Sequence, residues 1–412
     1  MKELGGGGLF ITATFISQVF NFFFNTYLGR ALSFEHYALI TVIINIWYFI
    51  LIVLNALSFV ITNKVAYLEK HESLSEVGAF YRFFIRKTIY ISLLCGVVWL
   101  FLTPVVIYFF HIRSWAAILM IAPSILIGAI MSISRGFLQG RTIFIPLAIS
   151  IIFESVVRMI IAIIIVYMGF PELTYMSIPL SLGFTVLLNY TLERKYIPST
   201  TKQHVFTFPT SLFIALLLIG LSNTVFLTVD ILMVKHYFDD RTAGIYALLG
   251  LVGKVVFFFS ALLSGVLFTY ASQGKQSNHR FFNRILLGTT GLALVAFVAF
   301  GIVGKFTTSI LIGEKSAAVV PYLLPYAGAI SLFAVTNTFI TYHIARGLKQ
   351  TAFIALFLAI TLIGSISFFH KNIFDIVYSV LGVSIGGFLI TSIFHVYILL
   401  WYNRTDETRK MG

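Results

Sequence analysis

Apolar residues recur in long runs along the chain, and short polar links separate the runs. A helix needs about 20 apolar residues to cross a hydrocarbon core of about 30 Å, and runs of about that length occur twelve times. We therefore predict twelve membrane-spanning helices. The predicted spans are 5–29, 37–62, 88–110, 115–134, 143–168, 173–192, 209–234, 243–271, 282–304, 317–345, 351–369 and 374–402.

Composition agrees with a helical membrane protein. Hydrophobic residues make up 59% and charged residues 10% of the 412 residues, which lies outside the mix of soluble globular domains. The lone cysteine, Cys95, lies in an apolar run, so one chain offers no disulfide and no thiolate metal site. The sequence has no Walker-type phosphate loop, zinc-binding histidine pattern or nucleophile elbow. We expect no catalytic residue, no metal and no cofactor.

The links carry most of the basic residues, and they do so unevenly. If the N-terminus is cytoplasmic, 19 of the 28 Lys and Arg residues lie in inside segments and 7 in outside links. By the positive-inside rule, both termini are predicted to be cytoplasmic. The net charge of +13 is therefore interpreted as a topology signal, and we expect no nucleic-acid partner. The 63–87 link mixes apolar and charged residues and is predicted to form a short surface helix.

The two halves of the sequence resemble each other. A shift of 209 residues places Tyr37-Ala38-Leu39 on Tyr246-Ala247-Leu248, and a shift of 211 places the Arg135-Gly136 pair on Arg346-Gly347. Six helices per half give parallel repeats, and transporters built this way bind substrate where the halves meet. We predict an all-α integral membrane protein with twelve transmembrane helices in two six-helix lobes around a central cavity. The predicted domains are an N-terminal lobe (1–192), a cytoplasmic linker (193–208) and a C-terminal lobe (209–412).

Four ionisable residues lie within predicted spans. Asp230 and Lys254 lie in neighbouring spans, while Glu154 and Arg158 are four residues apart and share one helical face. Each such charge costs about 2.5–3.5 kcal/mol at the centre of a membrane helix, so a function is expected. One interpretation is mutual neutralisation that serves packing alone. The other is that Arg158 and Lys254 hold an anionic group, while Asp230 and Glu154 couple a proton or a sodium ion to movement.

Other polar residues have two interpretations each. Arg135 and Arg346 are predicted to end their helices at the cytoplasmic surface, either as anchors or as an entrance that recruits phosphate. The amides of Asn21, Asn25 and Asn45 either bond between helices or line the cavity. Under the 209-residue shift, Asp230 corresponds to Asn21 and Lys254 to Asn45, so charges in the second half replace amides of the first.

Several motifs resemble those of a known family. They are LGRALSFEHYALI (28–40), SRGFLQGRTIF (134–144), ESVVR (154–158) and DILMVKHYFDDRTAGIYALLGLVGKVVFF (230–258). In order and spacing they resemble the lipid-linked oligosaccharide flippases of the multidrug/oligosaccharidyl-lipid/polysaccharide exporter (MOP) superfamily. The resemblance implies a MATE-like fold, in which two lobes form a V around a central cationic cavity and work by alternating access.

The resemblance also implies a cargo, a location and partners. The cargo would be a polyprenyl-(pyro)phosphate-linked oligosaccharide, flipped from the cytoplasmic to the outer leaflet of the inner (plasma) membrane for surface polysaccharide biosynthesis. Membrane lipid and other polysaccharide-assembly proteins would be its partners. The candidate ion-coupling residues are Asp230 and Glu154. The candidate cargo-binding residues are Arg158, Lys254, Arg30, Arg135, Arg346, Asn21, Asn25 and Asn45.

Some features depart from the family, and rival functions stay open. Members that move the peptidoglycan precursor place arginines in the middle of helix 1, where this chain has Asn21 and Asn25, and they have two more helices. This favours surface polysaccharide repeat units. The nearest rival is a cation-coupled multidrug exporter of the same fold. A major-facilitator porter would need a Gly-x-x-x-Asp-Arg-x-x-Arg-Arg loop that 63–87 lacks, and a sugar polymerase would need a large outer loop.

Overall fold

Helices make up the regular secondary structure of the described residues. In this computed structural model those residues are 2–199, 206–272, 279–346, 348 and 350–410. Side chains are described within these ranges except at 2–6, 215, 219, 222, 258–272, 279–281, 345 and 401–410.

The chain forms two compact units, Met1–Leu221 and Ser222–Gly412. The helices of the first unit are α1 (Lys2–Ala31), α2 (Phe34–His71), α3 (Leu74–Phe110), α4 (Trp115–Leu119), α5 (Ile121–Gly140), α6 (Phe144–Tyr167) and α7 (Ser177–Glu193). Next comes α8 (Thr210–Tyr237), which has a break between Leu218 and Asn223. The helices that follow are α9 (Asp240–Ser272), α10 (His279–Phe297), α11 (Gly304–Ile312), α12 (Ser316–Ala345), α13 (Gln350–Phe368) and α14 (Ile373–Lys410).

The helices are long and apolar enough for a multi-pass membrane protein. Among the described residues, nine helices could cross a membrane, or ten if the two parts of α8 count as one span. Each of the twelve predicted spans overlaps a helix, although α7 has only 17 residues. The all-α membrane fold is therefore confirmed.

The predicted surface helix at 63–87 is wrong. α2 continues to His71 and α3 begins at Leu74, so only Glu72 and Ser73 separate the two helices. The apolar residues of this stretch pack into a buried core cluster that includes Val65, Phe80 and Phe137. With 38 residues, α2 is about 57 Å long, so its charged end extends beyond a hydrocarbon core of about 30 Å.

In the first unit α5 is the central helix and contacts α2, α3 and α7. Two glycines set its close approach to α2. A Cβ atom at Gly136 would lie 2.6 Å from the carbonyl oxygen of Ser58, and one at Gly140 would lie 2.7 Å from that of Thr62. The Gly-x-x-x-Gly spacing is typical of tightly packed membrane helices, and it explains the glycines of the SRGFLQG motif.

In the second unit α12 has the corresponding central position, with contacts to α9, α10 and α14. The α9 glycines allow close packing here as well. A Cβ atom at Gly253 would lie 2.6 Å from a ring carbon of Tyr326, and one at Gly250 would lie 2.6 Å from Cδ1 of Ile231. This packing brings the side chains of α8 and α12 together.

Within the first unit, the segment after α7 packs against α3 and the end of α5. Arg82 on α3 donates a hydrogen bond from Nη2 to the carbonyl oxygen of Pro198, at 2.7 Å, and Arg141 donates to that of Tyr196. Phe206 packs edge-on against Phe80, with 5.2 Å between the ring centroids. The predicted boundaries of the lobes and linker stay a prediction, and residues 200–205 of the linker lie outside the described residues.

Candidate functional site

One face of α6 carries a row of polar residues. Ser150, Glu154 and Arg158 are spaced by four residues, so their side chains leave the helix on the same side. This face meets α1, α5 and α7, the helices that contact α6.

Glu154 binds two guanidinium groups. Its Oε2 lies 2.9 Å from Nη2 of Arg135 on α5, and its Oε1 accepts a hydrogen bond from Nη2 of Arg158. Arg135 also donates from Nε to the Ser150 hydroxyl at 3.1 Å. We call Arg135, Glu154 and Arg158 the Arg–Glu–Arg cluster. With two cations and one anion, its formal charge is +1.

Arg158 connects three helices. Its Nη1 donates to Oδ1 of Asn21 on α1 at 3.3 Å, and its Nε donates to the hydroxyl of Ser181 on α7 at 3.4 Å. The side chain is 15% exposed. The guanidinium is therefore held in place by its neighbours, and part of the side chain is exposed.

Arg135 does not end its helix as predicted. It lies five residues before Gly140, the last residue of α5, and its side chain is 20% exposed. Successive residues of a helix point about 100° apart, and Gly136 faces α2, so the neighbouring Arg135 can turn toward α6. Contacts between helices set the direction of the Arg135 side chain, and a local pattern of charges in the sequence does not reveal such contacts.

The second unit holds a buried acid that is surrounded by hydroxyl groups. Asp230 on α8 is 1% exposed. Its Oδ2 accepts hydrogen bonds from the hydroxyls of Tyr246, at 2.9 Å, and Tyr326, at 3.1 Å, and its Oδ1 accepts one from the backbone N–H of Ile231. Three helices, α8, α9 and α12, thus meet at one carboxylate.

Lys254 belongs to the same neighbourhood. It lies on α9 and interacts electrostatically with Asp230, as expected for a charge pair in neighbouring helices. The direct hydrogen-bond donors to the Asp230 side chain include two tyrosines, which the sequence reasoning did not predict. A buried carboxylate that is in contact with hydroxyl oxygens can bind a proton or a small cation.

The remaining predicted residues lie on α1, on α2 and directly after α12. Arg30 is exposed in the last turn of α1, about 14 Å along the helix from Asn21. Asn25 donates its amide to the backbone of its own helix, and Asn45 is buried on α2. Arg346 follows α12, where its Nη1 donates to the hydroxyl of Tyr342 at 3.3 Å.

Sequence reasoning missed two buried titratable sites. Glu193, at the end of α7, accepts hydrogen bonds from Ser134 at 2.5 Å and Tyr81 at 2.7 Å. His343 on α12 and His395 on α14 contact each other through ring nitrogens 3.0 Å apart. Glu193 follows a predicted span directly, and the two histidines are 52 residues apart, so no local pattern marked either site. Among the described residues, no group of three or more metal-ligating side chains occurs.

Comparisons with known proteins identify the fold. No protein-family profile matches the chain, and no curated protein sequence matches it. Among solved structures, the lipid II flippase MurJ in an inward closed conformation superposes with a TM-score of 0.75 at 17% identity, over 94% of this chain and 87% of MurJ. The two chains share one fold.

Two further solved structures have the same fold. A multidrug resistance MATE transporter in an inward-facing conformation has a TM-score of 0.68 at 12% identity, over 92% of this chain and 94% of the transporter. The eukaryotic MATE transporter AtDTX14 has a TM-score of 0.60 at 13% identity, over 96% and 95% of the two chains. The MATE-like fold expected from the sequence motifs is confirmed.

Proposed function

We propose that this MOP-fold protein is a flippase for an anionic lipid-linked saccharide. The cargo is a polyprenyl-(pyro)phosphate-linked oligosaccharide used in surface polysaccharide biosynthesis, moved from the cytoplasmic to the outer leaflet by alternating access. The observation that carries the proposal is the Arg–Glu–Arg cluster, a site with excess positive charge on a fold shared with a lipid flippase. The protein acts as a transporter and not as an enzyme.

The chemistry of the cluster fits a phosphate. A guanidinium presents planar pairs of N–H donors that match the oxygens of a phosphate. Glu154 already takes one donor from each arginine, which orients the two groups and leaves other N–H donors for a ligand. Lys254 in the second unit is the other cationic residue in this proposal. The central cavity expected from the sequence stays a prediction.

Asp230 is the proposed site of ion coupling. A proton or a sodium ion there would change the charge beside Lys254 and the hydrogen bonds from Tyr246 and Tyr326. Glu154 was the other candidate from the sequence. We assign it to holding Arg135 and Arg158, because its two ion pairs would have to break before it could carry a cation.

The second candidate function is cation-coupled multidrug export. An inward-facing and an outward-facing structure of a multidrug resistance MATE family transporter favour it, with TM-scores of 0.68 and 0.62 at 12% and 13% identity. A pump for cationic drugs needs acidic groups to bind them, whereas the Arg–Glu–Arg cluster has an excess of positive charge. We therefore rank the flippase first.

As a flippase, the protein would have a defined membrane and a defined orientation in it. The protein would lie in the inner (plasma) membrane with both termini cytoplasmic, as the excess of Lys and Arg in alternate links predicts. Other polysaccharide-assembly proteins would act beside it.

One assay separates the two functions. Purified protein is reconstituted in vesicles that carry a fluorescent polyprenyl-diphosphate oligosaccharide, and the labelled lipid that reaches the other leaflet is measured over time. A parallel set of vesicles is loaded with a cationic dye. Movement of the lipid without movement of the dye supports the flippase, while the reverse supports the exporter.

Salt provides a further check on cargo binding. Because charge attraction at an accessible site is screened by salt, binding of the lipid-linked saccharide should weaken as the salt concentration rises. The uncharged polyprenol-linked analogue is the matched control and should show no such dependence.

A further inference from the structure

An open groove runs between α13 and α14 in the second unit. Its volume is about 460 Å³, and its lining runs along the chain from Phe357 to Phe369 and from Asp375 to Ile390. At about 1.5 Å per residue, the stretch from Asp375 to Ile390 spans about 22 Å. One leaflet of the hydrocarbon core is about half of 30 Å thick. The groove is therefore long enough to hold a lipid chain.

Two glycines on α14 keep the groove open. Gly382 and Gly386 are one helical turn apart and line it, and nothing lies within 4 Å of the Cβ position at either. Gly387 differs, because a Cβ atom there would lie 2.9 Å from Cδ1 of Leu358 on α13. Glycine inside a helix costs about 1 kcal/mol relative to alanine. Close packing explains Gly387, whereas Gly382 and Gly386 border open space.

The helices that form the groove have apolar surfaces suited to lipid. α13 and residues 376–400 of α14 contain no Lys, Arg, Asp or Glu, and both helices are apolar enough to cross a membrane. A water-filled cavity would need a polar lining, so we expect the groove to open to the bilayer. Large apolar side chains are exposed on both helices, namely Phe353, Ile360, Leu389 and Ile393.

One end of the groove is polar. Asp375, in the first turn of α14, accepts a hydrogen bond from the backbone N–H of Lys371 through Oδ2, at 3.0 Å, and its Oδ1 has no donor among the described residues. One turn further along α14, Ser379 is 7% exposed. Its hydroxyl has no hydrogen-bond partner in the described part of the chain. Ser365 on α13, one turn before Phe369, adds a second hydroxyl to the lining.

The order of these groups along the groove matches the order of groups in a phospholipid. A carboxylate at the membrane boundary can accept charge-assisted hydrogen bonds from an ammonium head group. Hydroxyls one turn deeper can donate to phosphate or ester oxygens, and the apolar length beyond them suits an acyl chain. A head group with only negative charge would be repelled by Asp375.

We propose that the α13–α14 groove binds one membrane phospholipid with an ammonium head group, of the phosphatidylethanolamine class. Asp375 binds the ammonium through Oδ1, Ser365 and Ser379 bind the phosphate or ester oxygens, and one acyl chain lies over Gly382 and Gly386. The site lies within the second unit and includes none of the candidate cargo residues. It does not depend on the proposed function, so failure of the flippase proposal would leave it standing.

Native mass spectrometry of the whole chain in detergent micelles tests the site. Phosphatidylethanolamine, phosphatidylglycerol with the same acyl chains, and a polyprenyl phosphate are titrated separately, and the bound lipid is measured. Gly382→Leu/Gly386→Leu fills the groove. Gly364→Leu on α13 is the matched control, because nothing lies within 4 Å of its Cβ position and Gly364 is outside the groove lining. Asp375→Asn removes the charge and keeps an oxygen for the Lys371 N–H.

We expect the wild type to retain one phosphatidylethanolamine molecule. It should prefer this lipid to phosphatidylglycerol by about fivefold, the upper value for a charge pair near the surface. Gly382→Leu/Gly386→Leu should lose at least about tenfold in affinity, equivalent to about 1.4 kcal/mol, while Gly364→Leu binds like the wild type. Asp375→Asn should lose the preference between the two head groups.

The proposal is overturned if the double leucine variant keeps the wild-type affinity, or if phosphatidylglycerol binds as tightly as phosphatidylethanolamine. Tighter binding of the polyprenyl phosphate would assign the groove to the cargo. A dimer that only the double leucine variant abolishes would assign it to a second copy of the chain, and each of these results also overturns the proposal. Circular dichroism shows whether the double variant is folded. If it is not, Gly386→Leu alone is judged by the same criteria.

Discussion

Arg135 on α5 and Glu154 on α6 form an ion pair, with 2.9 Å between Nη2 and Oε2. The pair leaves Glu154 shared between two arginines, because Arg158 binds its other oxygen. The first unit thus holds its arginines in fixed positions without cancelling their charge. That excess charge is the basis for proposing an anionic cargo.

Replacing Glu154 by Gln should destabilise the first unit. The change leaves Arg135 and Arg158 without their counter-ion, and breaking a buried pair costs about 3–5 kcal/mol. The side chains are 14–20% exposed, so we expect the lower end of this range. Unfolding of the purified protein in detergent measures the effect. Glu172→Gln, an exposed acid after α6, should unfold like the wild type, and equal behaviour of the two variants would show that the ion pairs do not matter.

Gly136→Ala should loosen the contact between α2 and α5. The new Cβ would meet the Ser58 carbonyl oxygen at 2.6 Å and Cβ of Ile61 at 3.0 Å, and overpacking of this kind costs about 1–3 kcal/mol. Gly183→Ala on α7 is the matched control, because nothing lies within 4 Å of its Cβ position. Alanine favours a helix over glycine by about 1 kcal/mol, so the control should be neutral or more stable. A Gly136→Ala protein as stable as the control would contradict the close packing.

The two tyrosines that bind Asp230 should act together. Each donates to the same oxygen, so Tyr246→Phe or Tyr326→Phe alone leaves one hydroxyl donor. The double variant removes both, and its loss of unfolding free energy should exceed the sum of the single losses, each about 1–3 kcal/mol. Tyr378→Phe, at an exposed ring on α14, serves as the control. Strictly additive losses would mean that the two hydroxyls do not compensate for each other.

Asp239 should stabilise the start of α9 in a pH-dependent way. Its carboxylate accepts hydrogen bonds from the backbone N–H of Thr242, at 2.7 Å, and from the Thr242 hydroxyl, at 3.0 Å. The backbone hydrogen bond from Thr242 is the main cause that lowers the pKa of Asp239. A lowered folded-state pKa gives stability that is present above the unfolded pKa of about 3.9 and is lost as pH falls through the folded pKa.

Asp239→Ala should therefore cost about 0.5–1 kcal/mol near neutral pH, at the low end because the side chain is exposed. The difference from the wild type should shrink below about pH 4. Thermal unfolding at a series of pH values checks this, and a difference that is constant across the series would contradict the assignment. Asp375→Ala on α14 gives a comparison at another carboxylate that accepts a backbone hydrogen bond, here a partly buried one.

The helices were predictable from the sequence, and the directions of side chains were not. Each of the twelve predicted spans overlaps a helix, because the requirement to cross hydrocarbon is local and long apolar runs reveal it. The prediction for the 63–87 link was wrong because Val65 and Phe80, which lie among its charged residues, pack into the core.

The candidate site was predictable only where its residues lie close together in the sequence. Glu154 and Arg158 share a helix, and their spacing of four residues predicted that they lie on one face, as one of the two interpretations required. The contact of Arg135 with Glu154 depends on how α5 and α6 pack, and the contact of His343 with His395 joins residues 52 positions apart. Such contacts require the tertiary structure.

The most direct test of the account is flux of the lipid-linked saccharide through vesicles that contain Arg158→Gln/Lys254→Gln. The control is Arg86→Gln/Lys371→Gln, which removes one exposed cation from each unit. We predict that the first variant loses at least about tenfold in flux, equivalent to about 1.4 kcal/mol, while the control retains the wild-type rate. Wild-type flux in Arg158→Gln/Lys254→Gln would contradict the cargo role of these two cations.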